Sequence, residues 1–211
     1  VDSDTAALIL EPVQGLAGAY ALGREFLVAA REVTEEAGAL LIFDEVQCGL
    51  GRSGAPFSAR LHGVTPDILT VGKGLAGGLP AAALVVRPEA MPKLAAGDLG
   101  TTFGGGPLVC AAIEATLDAL VEEGLMPRVR VVSRALFGLA GRGPVVAVQG
   151  EGLLLGLRTR RPAREIQAEL LERDILVGTS DDPFVVRLLP PLTLGLEHVA
   201  LLAAALQELA E

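Results

Sequence analysis

The feature that most constrains the fold is an alternation of short, continuously apolar segments with one amphipathic segment. Residues 7–13 and 40–46 each begin with a continuous apolar run, which ends in an acidic residue and is typical of strands that are buried on both faces. Between them, residues 24–37 repeat apolar side chains along one helical face, and Gly38 stands where helices commonly end. Two further strand-like segments cover 67–73 and 81–87. This pattern predicts an α/β sheet, largely parallel and covered on both faces.

The second half of the chain has a different organisation. A helix is predicted over 107–123, and "EEGLMPRV" (122–129) is typical of a hinge between domains. Strands and helices then mix, with a last helix from Glu197 onward, which predicts a smaller α+β domain. Because no βα unit precedes the first strand, we expect the chain to begin in the middle of a domain.

The net charge argues against some classes of binding partner. The 211 residues include 26 acidic and 17 basic side chains, for a net charge of −9, which argues against nucleic acid and anionic membranes. No apolar segment approaches the roughly 20 residues of a membrane span. The two cysteines have no metal-binding spacing, so no metal site is predicted, and a cytoplasmic location is the expectation.

The segment "GLGRSG" (49–54) matches the G-x-G-x-x-G pattern of dinucleotide-binding sites and follows a predicted strand. Three features weigh against that function. Asp44 and Glu45 would repel a pyrophosphate, no helix clearly opens at the glycines, and Asp67 precedes a strand whereas a ribose-binding acid follows one. A nucleotide-binding dehydrogenase domain therefore stays as an alternative only.

Asp44 and Lys73 both lie near the carboxyl ends of predicted parallel strands, where open α/β sheets bind ligands. Only two of the 17 basic residues are lysines, and lysine, unlike arginine, can lose its proton when desolvated. An ordinary ion pair would explain both residues. The sharper hypothesis is a pyridoxal phosphate site, in which the amine forms a Schiff base and a buried carboxylate keeps the pyridine nitrogen protonated. That hypothesis requires a desolvated carboxylate and a desolvated amine.

Five ordered motifs extend this hypothesis to a family: 8–15 (LILEPVQG), 40–54 (LLIFDEVQCGLGRSG), 66–80 (PDILTVGKGLAGGLP), 100–107 (GTTFGGGP) and 185–198 (VVRLLPPLTLGLEH). With them the chain resembles the class III aminotransferases, fold type I pyridoxal-phosphate enzymes, and among these the acetylornithine aminotransferase group. The resemblance implies an α/β fold in which 1–124 form the second part of the mostly parallel, cofactor-binding large domain. Residues 125–211 would form the C-terminal α+β small domain.

The resemblance also implies roles for residues at the cofactor. Lys73 would be the catalytic Schiff-base lysine, which also moves the substrate proton. Asp44 would pair with the pyridine nitrogen, Val46 would pack on the ring, and Gln47 would reach its phenolic oxygen. Thr102 would contact the cofactor phosphate of a neighbouring subunit, which implies a homodimer with shared active sites.

For the substrate, the resemblance assigns Arg187 to the α-carboxylate, and Glu11 to the acid that can pair with that arginine. Two positions depart from the family's common pattern: Leu16 follows Gly15 where a glutamate is usual, and Gly106 stands before Pro107 where an asparagine is usual. The family's upstream phosphate loop and ring-stacking aromatic have no counterpart here, so the resemblance covers only a C-terminal portion.

The implied reaction is transfer of an amino group from an ω-amino donor such as N-acetylornithine to 2-oxoglutarate, in arginine or lysine biosynthesis. Ornithine and 4-aminobutyrate are alternative donors. A non-catalytic binding or assembly module on the same scaffold is the alternative of another class. As a fragment, the chain is expected to have little activity alone.

Overall fold

A computed structural model of the chain describes residues 1–91 and 95–209. The strands are β1 (Ala7–Leu10), β2 (Val13–Gln14), β3 (Tyr20–Ala21), β4 (Leu40–Asp44), β5 (Ile68–Val71), β6 (Ala83–Val86), β7 (Val145–Glu151), β8 (Leu154–Thr159), β9 (Gly178–Thr179) and β10 (Val185–Leu188). The helices are α1 (Arg24–Ala37), α2 (Ser58–His62), α3 (Pro107–Glu122), α4 (Leu125–Phe137), α5 (Ala163–Leu171) and α6 (Leu196–Glu208).

The chain divides into two compact units. The first contains Val1–Pro12, Leu22–Leu50 and Ala55–Gly124. The second contains Val13–Ala21, Gly51–Gly54 and the residues from Leu125 onward. Two short segments from the first half of the sequence thus belong to the second unit, which the prediction of domains at 1–124 and 125–211 did not include. That these units are the large and small domains of the resembled family stays a prediction.

The first unit is built on a four-stranded sheet in the order β1-β4-β5-β6. The first three strands are parallel and β6 is antiparallel, so the predicted mostly parallel sheet is confirmed. Helix α1 covers one face, where Leu27 and Ala30 pack with Leu41 and Phe43 in a buried cluster. The helix ends at Gly38, whose left-handed φ of 69° favours glycine because it has no Cβ.

The opposite face of this sheet is apolar and incompletely covered. Ile9, Ile42, Ile68 and Val86 lie in register across it, and none of them is fully buried. At its two edge strands, Ile9 is 60% exposed and Leu84 is 64% exposed. The prediction of a sheet covered on both faces is therefore wrong for the residues that the structure describes.

The second unit has an antiparallel sheet in the order β7-β8-β10-β9. One face carries the unit's main apolar core, which includes Val129 of α4, Ile166 of α5 and Leu206 of α6. A small hairpin of β2 and β3, absent from the sequence prediction, also belongs to this unit. Among the helices of the described residues, none combines the length and apolar character that a membrane crossing requires.

Candidate active site

Three predicted residues follow neighbouring strands at one edge of the first sheet. Glu11 directly follows β1, Asp44 is the last residue of β4, and Lys73 stands two residues beyond β5. Since these strands are adjacent and parallel, their carboxyl ends meet at the same edge of the sheet. This is the edge at which open α/β sheets bind ligands.

The Asp44 carboxylate is held by one of its two oxygens. Its Oδ1 accepts hydrogen bonds from the Thr70 hydroxyl at 2.9 Å and from the Val46 backbone N–H at 3.0 Å. Thr70 is the in-register partner of Asp44 on β5, so both side chains leave the sheet on the same face. No described residue donates to Oδ2. The side chain is half-buried, with a fixed orientation and one oxygen available for a ligand.

The turn after Asp44 brings a second polar group without a partner. Oε1 of Gln47 is buried and has no hydrogen-bond partner among residues 1–91 and 95–209. Val46, one residue earlier, faces the glycine before Lys73: a Cβ added at Gly72 would lie 3.4 Å from Val46 Cγ1. The turn therefore presents an apolar side chain beside the lysine and an unsatisfied amide near it in sequence.

Lys73 opens a 3-10 turn over Lys73–Ala76 in a backbone conformation that is unusual for its residue type. Its φ is 48°, in the left-handed region that costs energy for residues with a Cβ. The side chain is exposed. The expectation of a desolvated amine is thus not met in this chain, and Asp44 is only half-buried.

Thr102 lies in the exposed loop before α3, and no hydrogen bond links its side chain to the described residues. Helix α3 packs against the turn that begins with Lys73, and Thr116 of α3 would be 3.2 Å from a Cβ added at Gly77. The loop thus leads into the helix that supports the lysine turn.

Arg187 belongs to the second unit, on β10. Its in-register partners on both neighbouring strands are glycines, Gly156 of β8 and Gly178 of β9, so no flanking side chain crowds the guanidinium across the sheet. Nε and Nη1 of Arg187 are buried without a hydrogen-bond partner among the described residues. Arg187 also lines a cavity of about 680 Å³, whose other walls are mostly apolar, including Leu188 and Leu202. Buried donors without a partner are typical of a binding site for an anion.

The sequence did not predict the partners of Arg52, which lies in the glycine-rich segment. Its guanidinium donates to the carbonyl oxygens of Pro190 and, at 3.4 Å, of Leu153. Burial lowers the pKa of Arg52 from the usual arginine value. Because Pro190 follows Arg187 by three residues, Arg52 holds the segment that directly follows β10, the strand of Arg187. Only the spacing of "GRSG" near a turn could have suggested such a tether.

The nucleotide-binding alternative finds no support in this segment. Gly54 N–H donates to the Gly51 carbonyl in a turn, and the next helix begins only at Ser58. Asp67, the acid that would contact a ribose, is paired with Arg31 at 2.8 Å and accepts the Leu41 backbone N–H at 2.7 Å. A cavity of about 410 Å³ adjoins Asp67, but it lies at the amino-terminal end of β5.

The side chains at this edge of the first sheet fit a protonated aromatic nitrogen heterocycle carrying an aldehyde. An oriented carboxylate with a free oxygen can accept a hydrogen bond from the ring nitrogen, and a valine can pack on the ring face. An unsatisfied amide can reach a ring substituent, and an exposed amine can react with the aldehyde. The residues present therefore fit pyridoxal phosphate.

Known proteins are similar in sequence to this chain over nearly its whole length. The family described as "Aminotransferase class-III" matches residues 1–209. An acetylornithine aminotransferase of Methanocaldococcus jannaschii is 38% identical over 213 residues, which cover 99% of this chain and 53% of the relative. One of Streptomyces coelicolor is 44% identical over 211 residues, covering 98% of this chain and 52% of the relative. The chain thus spans about half the length of these curated relatives.

Solved structures agree with this similarity. An acetylornithine aminotransferase from Elizabethkingia anophelis superposes with a TM-score of 0.87 at 30% identity, covering 96% of this chain and 53% of that one. An ornithine aminotransferase from Toxoplasma gondii gives a TM-score of 0.89 at 30% identity, covering 98% and 51%. These likenesses place the fold among the fold type I enzymes. The chain belongs to the class III aminotransferases, a family that depends on pyridoxal phosphate.

Proposed function

We propose that this chain carries part of the active site of an aminotransferase that transfers an amino group from N-acetylornithine, or a similar ω-amino donor, to 2-oxoglutarate. The observation that carries the proposal is the arrangement of Asp44 and Lys73 after adjacent parallel strands, with one Asp44 oxygen held and the other available. The names of the relatives favour N-acetylornithine over ornithine or 4-aminobutyrate as the donor. We also propose a cytoplasmic enzyme of amino-acid biosynthesis.

Pyridoxal phosphate, when bound, supplies an aldehyde for a primary amine and a ring that withdraws electrons from the carbon bearing the amine. Asp44 Oδ2 would accept a hydrogen bond from the ring nitrogen, and its negative charge would favour the protonated ring. Because Thr70 and Val46 hold Oδ1, this orientation is built before any ligand binds. Asp44 would thus contribute a preorganised charge rather than a mobile one.

Lys73 would provide the amine that holds the cofactor, and then the base that moves the proton at the substrate carbon. Its exposure fits a side chain that must reach two different partners during turnover. Val46 would limit the position of the ring beside the lysine. The NH₂ group of Gln47 would donate a hydrogen bond to the ring's oxygen substituent.

Arg187 would bind the substrate α-carboxylate through its fork of N–H donors, a bidentate geometry that lysine cannot reproduce. The two buried, unpaired nitrogens and the flanking glycines support this role. The pairing of Glu11 with that arginine stays a prediction from the family resemblance.

We propose a homodimer in which Thr102 contacts the partner's cofactor phosphate. The loop and the helix α3 that follows it support an interface because their large apolar side chains are exposed: Phe103 is 91%, Leu108 is 73% and Val121 is 69% accessible. Only Leu120 of the 16-residue helix α3 is buried. A helix that is apolar on most sides is ordinarily covered, which a second copy would achieve.

We propose that full activity requires the portion of the family's length that this chain does not span, whichever polypeptide carries it. The uncovered sheet face supports this, since Ile9 and Leu84 expose apolar surface on its edge strands. Both edge strands, β1 and β6, also have one side without a strand partner within the described residues. Such edges and faces are ordinarily paired or covered.

The proposal is tested by titrating the chain with pyridoxal phosphate, alone and together with the part of the Streptomyces coelicolor relative that lies outside the match. We expect a visible absorbance band, fixed by borohydride reduction, mainly in the mixture. Peptide mapping should place the label on Lys73. Lys73→Ala should abolish it, whereas Lys93→Ala, a change at the sequence's other lysine, should retain it. A label on neither lysine would favour a non-catalytic assembly module, and a strong band in the chain alone would refute the requirement for the additional portion.

The proposed role of the uncovered sheet face in association is tested by placing a charge on its exposed edge strand. Ile9→Lys should leave the thermal unfolding of the chain nearly unchanged, because the side chain is 60% exposed. The same change should prevent association with the complementary portion in sedimentation velocity. Leu171→Lys, at a residue 57% exposed on α5, is the matched control and should associate normally. Equal association of both variants would contradict this use of the face.

A further inference from the structure

Glu45, the acid directly after Asp44, is almost fully buried, with 1% of its surface exposed. Its two carboxylate oxygens accept the backbone N–H groups of Ser58 and Ala59, each at 2.7 Å. These two residues begin helix α2. Its own N–H donates to the Thr70 carbonyl at 3.1 Å, continuing the pairing of β4 with β5 one residue past Asp44. Glu45 is therefore tied at its backbone to the sheet and at its side chain to a helix.

The turn that follows closes around Glu45. Gly49 N–H donates to the Glu45 carbonyl at 3.0 Å, and Cys48 Sγ lies 3.9 Å from its Oε2. A Cβ added at Gly49 would be only 2.7 Å from the Glu45 carbonyl oxygen and 3.2 Å from Oε2. The turn can wrap this closely because position 49 is glycine. Residues 46 and 47, which carry the proposed ring contacts, are enclosed within this turn.

The turn also reaches the reactive lysine through packing. The Val46 side chain faces Gly72, the residue before Lys73, closely enough that an added Cβ there would lie 3.4 Å from Val46 Cγ1. Lys73 itself has the left-handed φ of 48°. A loosened turn would therefore move a side chain that lies beside a strained backbone position. The connection runs from α2 through Glu45 and Val46 to Gly72.

We propose that Glu45 is a positioning residue: its carboxylate holds the turn that orients Val46 and Gln47 and braces the backbone before Lys73. It does not touch the reacting atoms. Its catalytic meaning rests on the proposed function, but its structural effect does not. Both the charge and the length of the Glu45 side chain matter, because the two backbone donors need two acceptor oxygens at this distance from the main chain. In Glu45→Gln, an amide NH₂ would face one of the two N–H donors and leave it unpaired.

The test compares Glu45→Gln with Asp67→Asn. Asp67 is a matched control because its carboxylate also accepts a backbone N–H, that of Leu41, at 2.7 Å, but at the amino-terminal end of β5. Amide hydrogen exchange is measured on the unloaded chain. We expect Glu45→Gln to speed exchange by roughly tenfold, the factor for one lost buried hydrogen bond, at Val46, Gly49 and Leu75 as well as in α2. Asp67→Asn should leave those amides unchanged.

Faster exchange confined to Ser58 and Ala59 would overturn the proposal, since Glu45 would then only cap α2. If Glu45→Gln does not fold, Gly49→Ala perturbs the same turn through its close approach to the Glu45 carbonyl, and the same amides decide. A second readout is the affinity for pyridoxal phosphate in the mixture described above, which should fall about tenfold for Glu45→Gln relative to Asp67→Asn. Absence of cofactor binding by the parent would count against the proposed function alone, because the exchange pattern still tests the positioning role.

Discussion

Arg187→Met should make the chain more stable. Nε and Nη1 of Arg187 are buried with no described partner, and each such group costs about 1–3 kcal/mol in desolvation that no hydrogen bond offsets. Methionine fills similar space without polar atoms, so the unpaired donors disappear. We expect a gain of about 1–3 kcal/mol in the free energy of unfolding, after allowing for lost packing of the arginine stem. For a chain of this length, each kcal/mol corresponds to roughly 2–4 °C in Tm.

The measurement is thermal and urea unfolding followed by circular dichroism, without cofactor or substrate. Arg158→Met is the matched control: Arg158 is on the neighbouring strand β8, but its side chain is 53% exposed and its ion pair with Asp182 spans 3.5 Å. Its replacement should change stability by no more than about 0.5 kcal/mol. A lower Tm for Arg187→Met would refute the reasoning, because the guanidinium would then have a stabilising partner. A gain in stability with loss of substrate binding would be the trade-off expected of a binding residue.

Two further changes test the second unit. Gly156→Ala should destabilise it by roughly 1–3 kcal/mol, because the new Cβ would lie 2.4 Å from the Gly18 carbonyl oxygen. Gly178→Ala is the control: the atom nearest to its new Cβ is 3.5 Å away, so this variant should unfold like the parent in the same thermal assay. Hydrogen bonding to Arg161 lowers the pKa of Glu169, so the stability from this ion pair is present above the ordinary glutamate pKa and is lost as pH falls through the lowered value. The Tm difference between the parent and Glu169→Gln, small because the pair is partly exposed, should therefore be present at neutral pH and vanish in acid; a difference that persists in acid would contradict the assignment.

The sequence predicted those elements whose signal is local. Helix α1 spans Arg24–Ala37, as its apolar repeat and the glycine after it predict. Strand β6 was predicted as a strand, but its antiparallel direction has no counterpart in an apolar pattern, since the pattern is the same read either way. The β2–β3 hairpin was missed because two-residue strands have no period to detect. Its place in the second unit depends on contacts distant in sequence, such as the bond from the Gln149 amide to the Gly18 carbonyl.

Burial was the least predictable property. Unbroken apolar strands predicted a sheet covered on both faces, yet Ile9 and Leu84 remain exposed. An apolar pattern in the strands predicts that both sheet faces are covered, but it does not indicate which polypeptide covers each face. The same holds for Lys73, which was expected to be desolvated and is exposed. The proposed complementary portion would account for both differences, because covering the sheet face would also change the surroundings of the edge where Asp44 stands.

The acid pair at the end of β4 shows where sequence reasoning stops and geometry must continue. Strand alternation requires Asp44 and Glu45 to point to opposite sides, so one of the two carboxylates must enter the covered side of the sheet. The sequence pattern cannot show which of these two carboxylates has the structural role. The partners decide it: Glu45 uses both oxygens on backbone donors of α2, whereas Asp44 commits only Oδ1. Of the two, only Asp44 keeps an oxygen available for a ligand. Thr70 and Val46 N–H orient that carboxylate through Oδ1, and Glu45 holds the turn that contains Val46.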